Sequence, residues 1–244
     1  MAVPSPSKSD LRDRALRERR AFARSLNDSL RAELEAKLAP VVLPRLIGAR
    51  IVAGYHPLRD EISPYGILQG LAGGQVAALP WFAARDARMM FREGPAAEPA
   101  PWGVLQPAAN ADAVAPDVVL VPLVLADRHG VRIGHGQGHY DRALSNLKES
   151  GSVLAIGIAW DMQISEQPIP VDPWDMRLDA IATPSEWIDC RSQLAQTFRC
   201  RPYFAAHRDM GRDRGQRRGP ARRSALADSR ALLHGRRNRL DTAA

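Results

Sequence analysis

The residues best placed to do chemistry lie between Asp117 and Leu144, in the run DVVLVPLVLADRHGVRIGHGQGHYDRAL. Gly134, Gly136 and Gly138 alternate with His135, Gln137 and His139, and Tyr140-Asp141 follows at once. Glycines this dense carry little side-chain bulk. They leave backbone N–H groups bare where the next helix begins, an arrangement suited to an anion such as a phosphate. Gly-x-Gly-x-Gly also occurs wherever a chain turns tightly, and neither the Lys-Ser/Thr of a P-loop nor a full dinucleotide fingerprint completes it here. Taken alone, the loop leaves a phosphate cradle and a plain turn both open.

Such a loop needs a scaffold. Val118–Leu125 reads as one buried strand feeding it, and Tyr140–Lys148 as the amphipathic helix after it. Upstream, Leu11, Ala15, Phe22, Leu26, Leu30, Leu34 and Leu38 recur at helical spacing. They predict one amphipathic helix, capped by Ser9 and ended near Pro40. Arg50–Tyr55, Val76–Leu79, Arg88–Arg92, Val153–Trp160 and Ile181–Thr183 read as strands. Pro64–Leu71 is a short helix closed by Gly73-Gly74, and Gly94–Pro116 a Pro/Ala-rich surface connection. Apolar strands separated by helices predict an α/β fold: a Rossmann-like layered domain with a largely parallel sheet flanked by helices. Ligands of such sheets collect at the carboxyl ends of the strands, where the glycine loop would sit.

The 244 residues, 45% of them apolar, suffice for one substantial core. The net charge of +7 is unevenly placed: residues 191–244 hold 14 Arg and 4 Asp, a balance of +10, which leaves −3 in residues 1–190. We expect a globular domain over 1–190 and an Arg-rich, mostly disordered extension over 191–244. That extension lacks interleaved aromatics and a recognisable reading module, so a solvated tail is expected rather than a nucleic-acid-binding one. Cys190 and Cys200 match neither a C-x-x-C redox pair nor a zinc knuckle, which fits a reducing cytoplasm. No export signal or membrane span is visible, and the expected state is a monomer.

Several ordered motifs resemble the 5-formyltetrahydrofolate cyclo-ligase family over about residues 8–190. They are Lys8 to Arg12, Asp60-Glu61-Ile62 within YHPLRDEI, the glycine loop, and Gln163, Pro170, Asp175 and Asp179 downstream. The resemblance implies a cytosolic ligase that uses ATP and Mg2+ to convert 5-formyltetrahydrofolate into 5,10-methenyltetrahydrofolate. The formyl oxygen takes the γ-phosphoryl group, N10 attacks the activated carbon, and phosphate leaves as the ring closes. An amide-like oxygen is a poor leaving group, and phosphorylation makes it a good one.

By the same resemblance, Lys8 and Arg12 reach the nucleotide phosphates; spacing of four puts both on one helical face, which could also be a merely solvated one. Arg132, Gly134, His135, Gly136, Gln137, Gly138, His139 and Tyr140 form the nucleotide loop. Arg132 and Tyr140 carry the catalytic roles, and His135 to His139 also face the folate. His56 and Glu61 line the folate site, where a carboxylate can accept two hydrogen bonds from the pterin edge. Glu61 could instead be a favourable charge before the helix at Pro64, and His56 a loop side chain. Asp141 and Asp175 are the implied magnesium ligands; alone, the first could cap its helix and the second a turn. Gln163 and Asp179 are read as structural, and Arg142 and Arg177 as solvated surface.

Many relatives read GRGKGYYD where this chain has GHGQGHYD, so two phosphate cations are absent from the loop. A divergent member that binds folate or nucleotide without closing the ring is therefore the alternative, with nucleic-acid binding through the tail a third.

Overall fold

The computed structural model describes residues 6–101 and 103–191. The expected extension lies outside the described residues except for Arg191, as does Cys200.

The first helical stretch is three helices: α1 (Lys8–Ser25), α2 (Asp28–Ala36) and α3 (Leu38–Val42). The break comes from Asn27, whose side chain accepts the Leu30 N–H at 2.8 Å and caps α2, while Leu26 is extended. A short polar side chain offers the backbone that alternative to continuing a helix. Ser7 rather than Ser9 caps α1, through a reciprocal capping box with Asp10. Pro40 sits inside α3, in the first turn, where a missing N–H is tolerated. Leu30 is 41% exposed and drops out of the expected stripe.

In chain order the strands are β1 (Ile51–Ala53), β2 (Val76–Trp81), β3 (Met90–Glu93), β4 (Glu98–Pro99), β5 (Leu105–Gln106), β6 (Ala113–Val114), β7 (Val118–Pro122), β8 (Leu125–Asp127), β9 (Arg132–Ile133), β10 (Leu154–Ile158), β11 (Ile164–Ser165), β12 (Ala180–Ala182) and β13 (Trp187–Asp189). Helix α4 (Tyr65–Gln69) lies between β1 and β2, and α5 (His139–Ser150) between β9 and β10. The main sheet runs β13-β12-β10-β7-β1-β2-β3-β6, parallel from β12 to β2 and antiparallel at both edges. The expected largely parallel α/β sheet is present.

Successive residues of a strand face opposite sides, and both sides are covered here. Val119 and Val121 pack with Leu144 of α5 on one face. Val118 and Leu120 pack with Leu38 and Val42 of α3 and Ile67 of α4 on the other. A third cluster sets Leu11 and Ala15 of α1 against Val124, Leu125 and Ile133.

The expected single strand over 118–125 is split. Pro122 is the last residue paired in the main sheet, and from there the chain crosses into a three-stranded sheet, β11-β8-β9. The Val124 N–H bonds to the Ile133 carbonyl at 2.7 Å. Gln163 closes the gap: its amide donates to the carbonyls of Leu123 (2.8 Å) and Val124 (3.0 Å) and accepts the Trp160 N–H (2.9 Å). Its structural reading holds, as does that of Asp179, which accepts the Ala155 N–H at 2.8 Å. Gly94–Pro116 is not featureless, since β4, β5 and β6 lie within it as two-residue strands too short to show alternation.

In the main sheet the chain leaves β1 towards β2, then returns through β7 towards β10. That reversal is a topological switch point, and the crevice beyond the strand ends there is where such sheets bind ligands.

Candidate active site

Tyr55 and His56 follow β1, Pro80 lies near the end of β2, and Pro122 ends β7; all four line a cavity of about 510 Å3. Every residue singled out above for catalysis or for binding nucleotide, folate or metal also lines it.

The glycine loop forms the floor. Gly138 is the N-cap of α5 at φ +64°, and Gly136 has φ +91°. Both conformations favour glycine, and a Cβ on Gly138 would also meet Arg142 Nη1 at 3.0 Å. The loop thus delivers backbone N–H groups and the positive end of a twelve-residue helix to the cavity. Arg12 Nε donates to the Gly134 carbonyl at 2.8 Å, tying the loop to α1. His135, Gly136 and Gln137 are exposed.

Asp141 and Asp175 both line the cavity beside it. Asp141 Oδ1 accepts from Arg132 Nη2 (2.9 Å) and from the Met176 N–H (3.0 Å), which brings it to the residue following Asp175. Arg132, 8% exposed, also donates to the Met176 carbonyl, so its guanidinium is occupied in holding this corner together. Asp175 accepts the Asp172 N–H at 2.7 Å and pairs with Lys8 Nζ, which also lies 2.8 Å from Asp172 Oδ2. Burial alone would depress the Lys8 ammonium; its hydrogen bonds to both aspartates and their charges outweigh this and hold it above its usual value.

Two carboxylates from distant segments fit the way magnesium is held, by one or two carboxylates completed with water and phosphate oxygens. Among the described residues no cluster of three or more His, Cys, Asp or Glu could cage a metal by protein groups alone. Asp141 and Asp175 are the residues that could hold such an ion.

Glu61, 5% exposed, also lines the cavity. Its Oε2 accepts the Leu58 N–H at 2.8 Å, and its Oε1 lies 3.3 Å from His135 Nε2. His56 Nδ1 contacts the Tyr65 hydroxyl at 2.8 Å. Burial first, then the Glu61 charge, push the Tyr140 hydroxyl far above the usual tyrosine range, with Arg132 opposing. The Tyr140 hydroxyl therefore keeps its proton at neutral pH. Burial, followed by the Arg142 charge, holds His139 below the ordinary histidine value; its ring packs edge-on against Phe82 at 5.0 Å.

Sequence reading missed two charged residues here. Asp172 was hidden in an irregular segment. Arg19, 1% exposed, continues the buried face of α1 after Leu11 and Ala15, and a cation in an apolar stripe is the signal that could have found it.

Comparison with known proteins identifies the family. The profile of the 5-formyltetrahydrofolate cyclo-ligase family matches residues 4–184. A 5-formyltetrahydrofolate cyclo-ligase of Mycolicibacterium smegmatis is 28% identical over 75% of this chain and 96% of its own. The solved 5,10-methenyltetrahydrofolate synthetase of Aquifex aeolicus is 26% identical and superposes with a TM-score of 0.61, over 75% of this chain and 93% of that one. The synthetase of that name from Mycoplasma pneumoniae is 24% identical with a TM-score of 0.57, covering 73% and 99%, and speaks to the fold alone. With its profile spanning most of the sequence and its sheet shared with solved members, this chain belongs to the 5-formyltetrahydrofolate cyclo-ligase family.

Proposed function

We propose that the protein converts 5-formyltetrahydrofolate into 5,10-methenyltetrahydrofolate at the expense of ATP, as a monomer in the cytoplasm, with residues 191–244 an appendage to the catalytic domain. One observation carries this reading: a glycine loop at a helix N-terminus, two α1 cations, two aspartates and the buried Glu61 carboxylate all line one cavity.

In this reading the loop N–H groups and the N-terminus of α5 hold the triphosphate, and Arg12 fixes the loop beneath it. Lys8 leaves Asp172 and Asp175 for phosphate oxygens. Asp141 and Asp175 would hold magnesium, which would supply neutralisation of the charge that moves with the phosphoryl group. Glu61 accepts the N–H edge of the pterin and so aims the formyl group at the γ-phosphate, a gain from proximity and orientation. The protonated Tyr140 hydroxyl donates to an oxygen where negative charge develops. The apolar wall of Phe82 and Met89 keeps water from the activated carbon, which would otherwise be hydrolysed before N10 reaches it.

The test is to mix the purified chain with 5-formyltetrahydrofolate and Mg-ATP and follow the absorbance of the methenyl product alongside ADP release. Stoichiometric formation of both supports the ligase. Folate binding without ATP turnover would instead identify the divergent binding protein that the GHGQGHYD loop leaves open.

Among the described residues no helix is long and apolar enough to cross a membrane.

A further inference from the structure

The loop of this chain lacks the cations of GRGKGYYD, yet a cation stands directly behind it. Arg19 is buried at the meeting of three segments. Its Nε donates to Asp60 Oδ2 at 2.9 Å, and its Nη1 donates to the Leu123 carbonyl at 3.0 Å. Nη1 also stands 3.7 Å from Glu61 Oε1, and Nη2 stands 3.5 Å from His135 Nε2. One planar guanidinium therefore touches the turn carrying Glu61, the chain just past β7, and the first substituted position of the glycine loop.

The charge count is informative. Two carboxylates, Asp60 and Glu61, face this single buried guanidinium, and Asp60 makes the closer pair. Glu61 is held by the Leu58 N–H on one oxygen and approached by His135 and Arg19 on the other, so it keeps acceptor capacity towards the cavity. A buried carboxylate with incomplete pairing is expensive unless something completes it. The complement is a planar edge with adjacent N–H donors. Lysine could not replace Arg19, because a point ammonium cannot satisfy an aspartate, a carbonyl and a second carboxylate from fixed directions at once.

We propose that Arg19 is a positioning residue for ligand recognition: it holds the Glu61 carboxylate in place for the N–H edge of the heterocycle and joins that wall to the glycine loop through His135. The inference rests on Glu61 being the wall that meets folate. The plain alternative is that the Arg19–Asp60 pair only staples α1 to the domain.

The experiment uses the full chain and measures binding of 5-formyltetrahydrofolate and of ATP separately, with thermal melts to verify folding. Arg19→Lys, which keeps the buried charge, is expected to weaken folate binding by roughly 10- to 100-fold, the range for disturbing a desolvated charge contact. ATP binding should change by less than about twofold, within the usual spread for uncoupled sites. In a Glu61→Gln background, Arg19→Lys should add less than about twofold to the folate loss, because coupled residues are not additive. Asp60→Asn should lower the melting temperature while folate affinity stays within about threefold, since it removes the staple and not the Glu61 contact.

Wild-type folate affinity in a folded Arg19→Lys variant would overturn the proposal. So would additive losses in the double variant, equal losses for ATP and folate, or an Asp60→Asn defect in folate binding as large as that of Arg19→Lys. Should the wild-type chain itself fail to bind 5-formyltetrahydrofolate, the reading of the Glu61 wall falls and the role of Arg19 falls with it, a result distinct from the others.

Discussion

At the Lys8 end of the cavity Lys8 pairs with Asp175 and Arg132 with Asp141, whereas at the Glu61 end the charge is fixed by a backbone N–H and a buried arginine. In the first set the charges are paired with one another, and we propose that a triphosphate and its counter-ion divide the Lys8–Asp175 pair between them. The second is locked before any ligand arrives. One end gains affinity by exchanging partners and the other by being already organised, so perturbations of the two should separate in ligand-binding measurements.

The largest effect is expected from Asp141→Asn. This carboxylate orders Arg132 and the Met176 backbone besides its proposed part in holding the metal, and each charge-assisted hydrogen bond is worth about 1.5 to 3 kcal/mol. Methenyl product formation should fall by about 100-fold while the melting temperature moves by only a few degrees. Unchanged steady-state kinetics would remove the acidic pair from the mechanism. Next comes Lys8→Met, which should weaken ATP binding by about 10-fold and leave folate binding almost untouched. An equal loss of both would show that the two ends are one unit.

A smaller gain sharpens the contrast from the other side. His135→Arg restores a loop cation and should tighten ATP binding by about fivefold, while crowding Arg19 and weakening folate by a few-fold. Tighter binding of both ligands would contradict the charge balance described for Glu61. The smallest effect concerns pH. His139 is held below the ordinary value, so its neutral form favours the folded state. Its contribution is complete above the unfolded histidine value near 6.5 and is lost as pH falls towards the depressed folded one. Melts at pH 7.5 and 5.5 should therefore show a larger acid loss in wild type than in His139→Asn.

Much of the framework could be read from residue patterns. The apolar runs at 118–122 and 154–158 gave parallel strands because burial on both faces demands continuous hydrophobicity. The loop glycines announced a backbone whose two left-handed positions, 136 and 138, need them. The split at Pro122 was not legible, since Leu123–Leu125 is as apolar as the strand before it and only the distant Gln163 amide and Ile133 carbonyl mark the change of sheet. The broken N-terminal helix was in principle visible in Asn27, but the leucine periodicity runs straight through it. Arg19 and Asp172 escaped because their roles depend on partners far along the chain, Asp60 and Lys8, which no local spacing reveals.

The contact between Lys8 and Asp175 spans 167 positions of sequence. Closing so long a loop is entropically slow and rewards the chain only after most of the sheet has formed. A nascent polypeptide can thus carry β1 through β10 outside the ribosome and still lack the Lys8–Asp175 contact. Refolding followed by intrinsic fluorescence should run ahead of recovered ATP binding, because this contact is joined last.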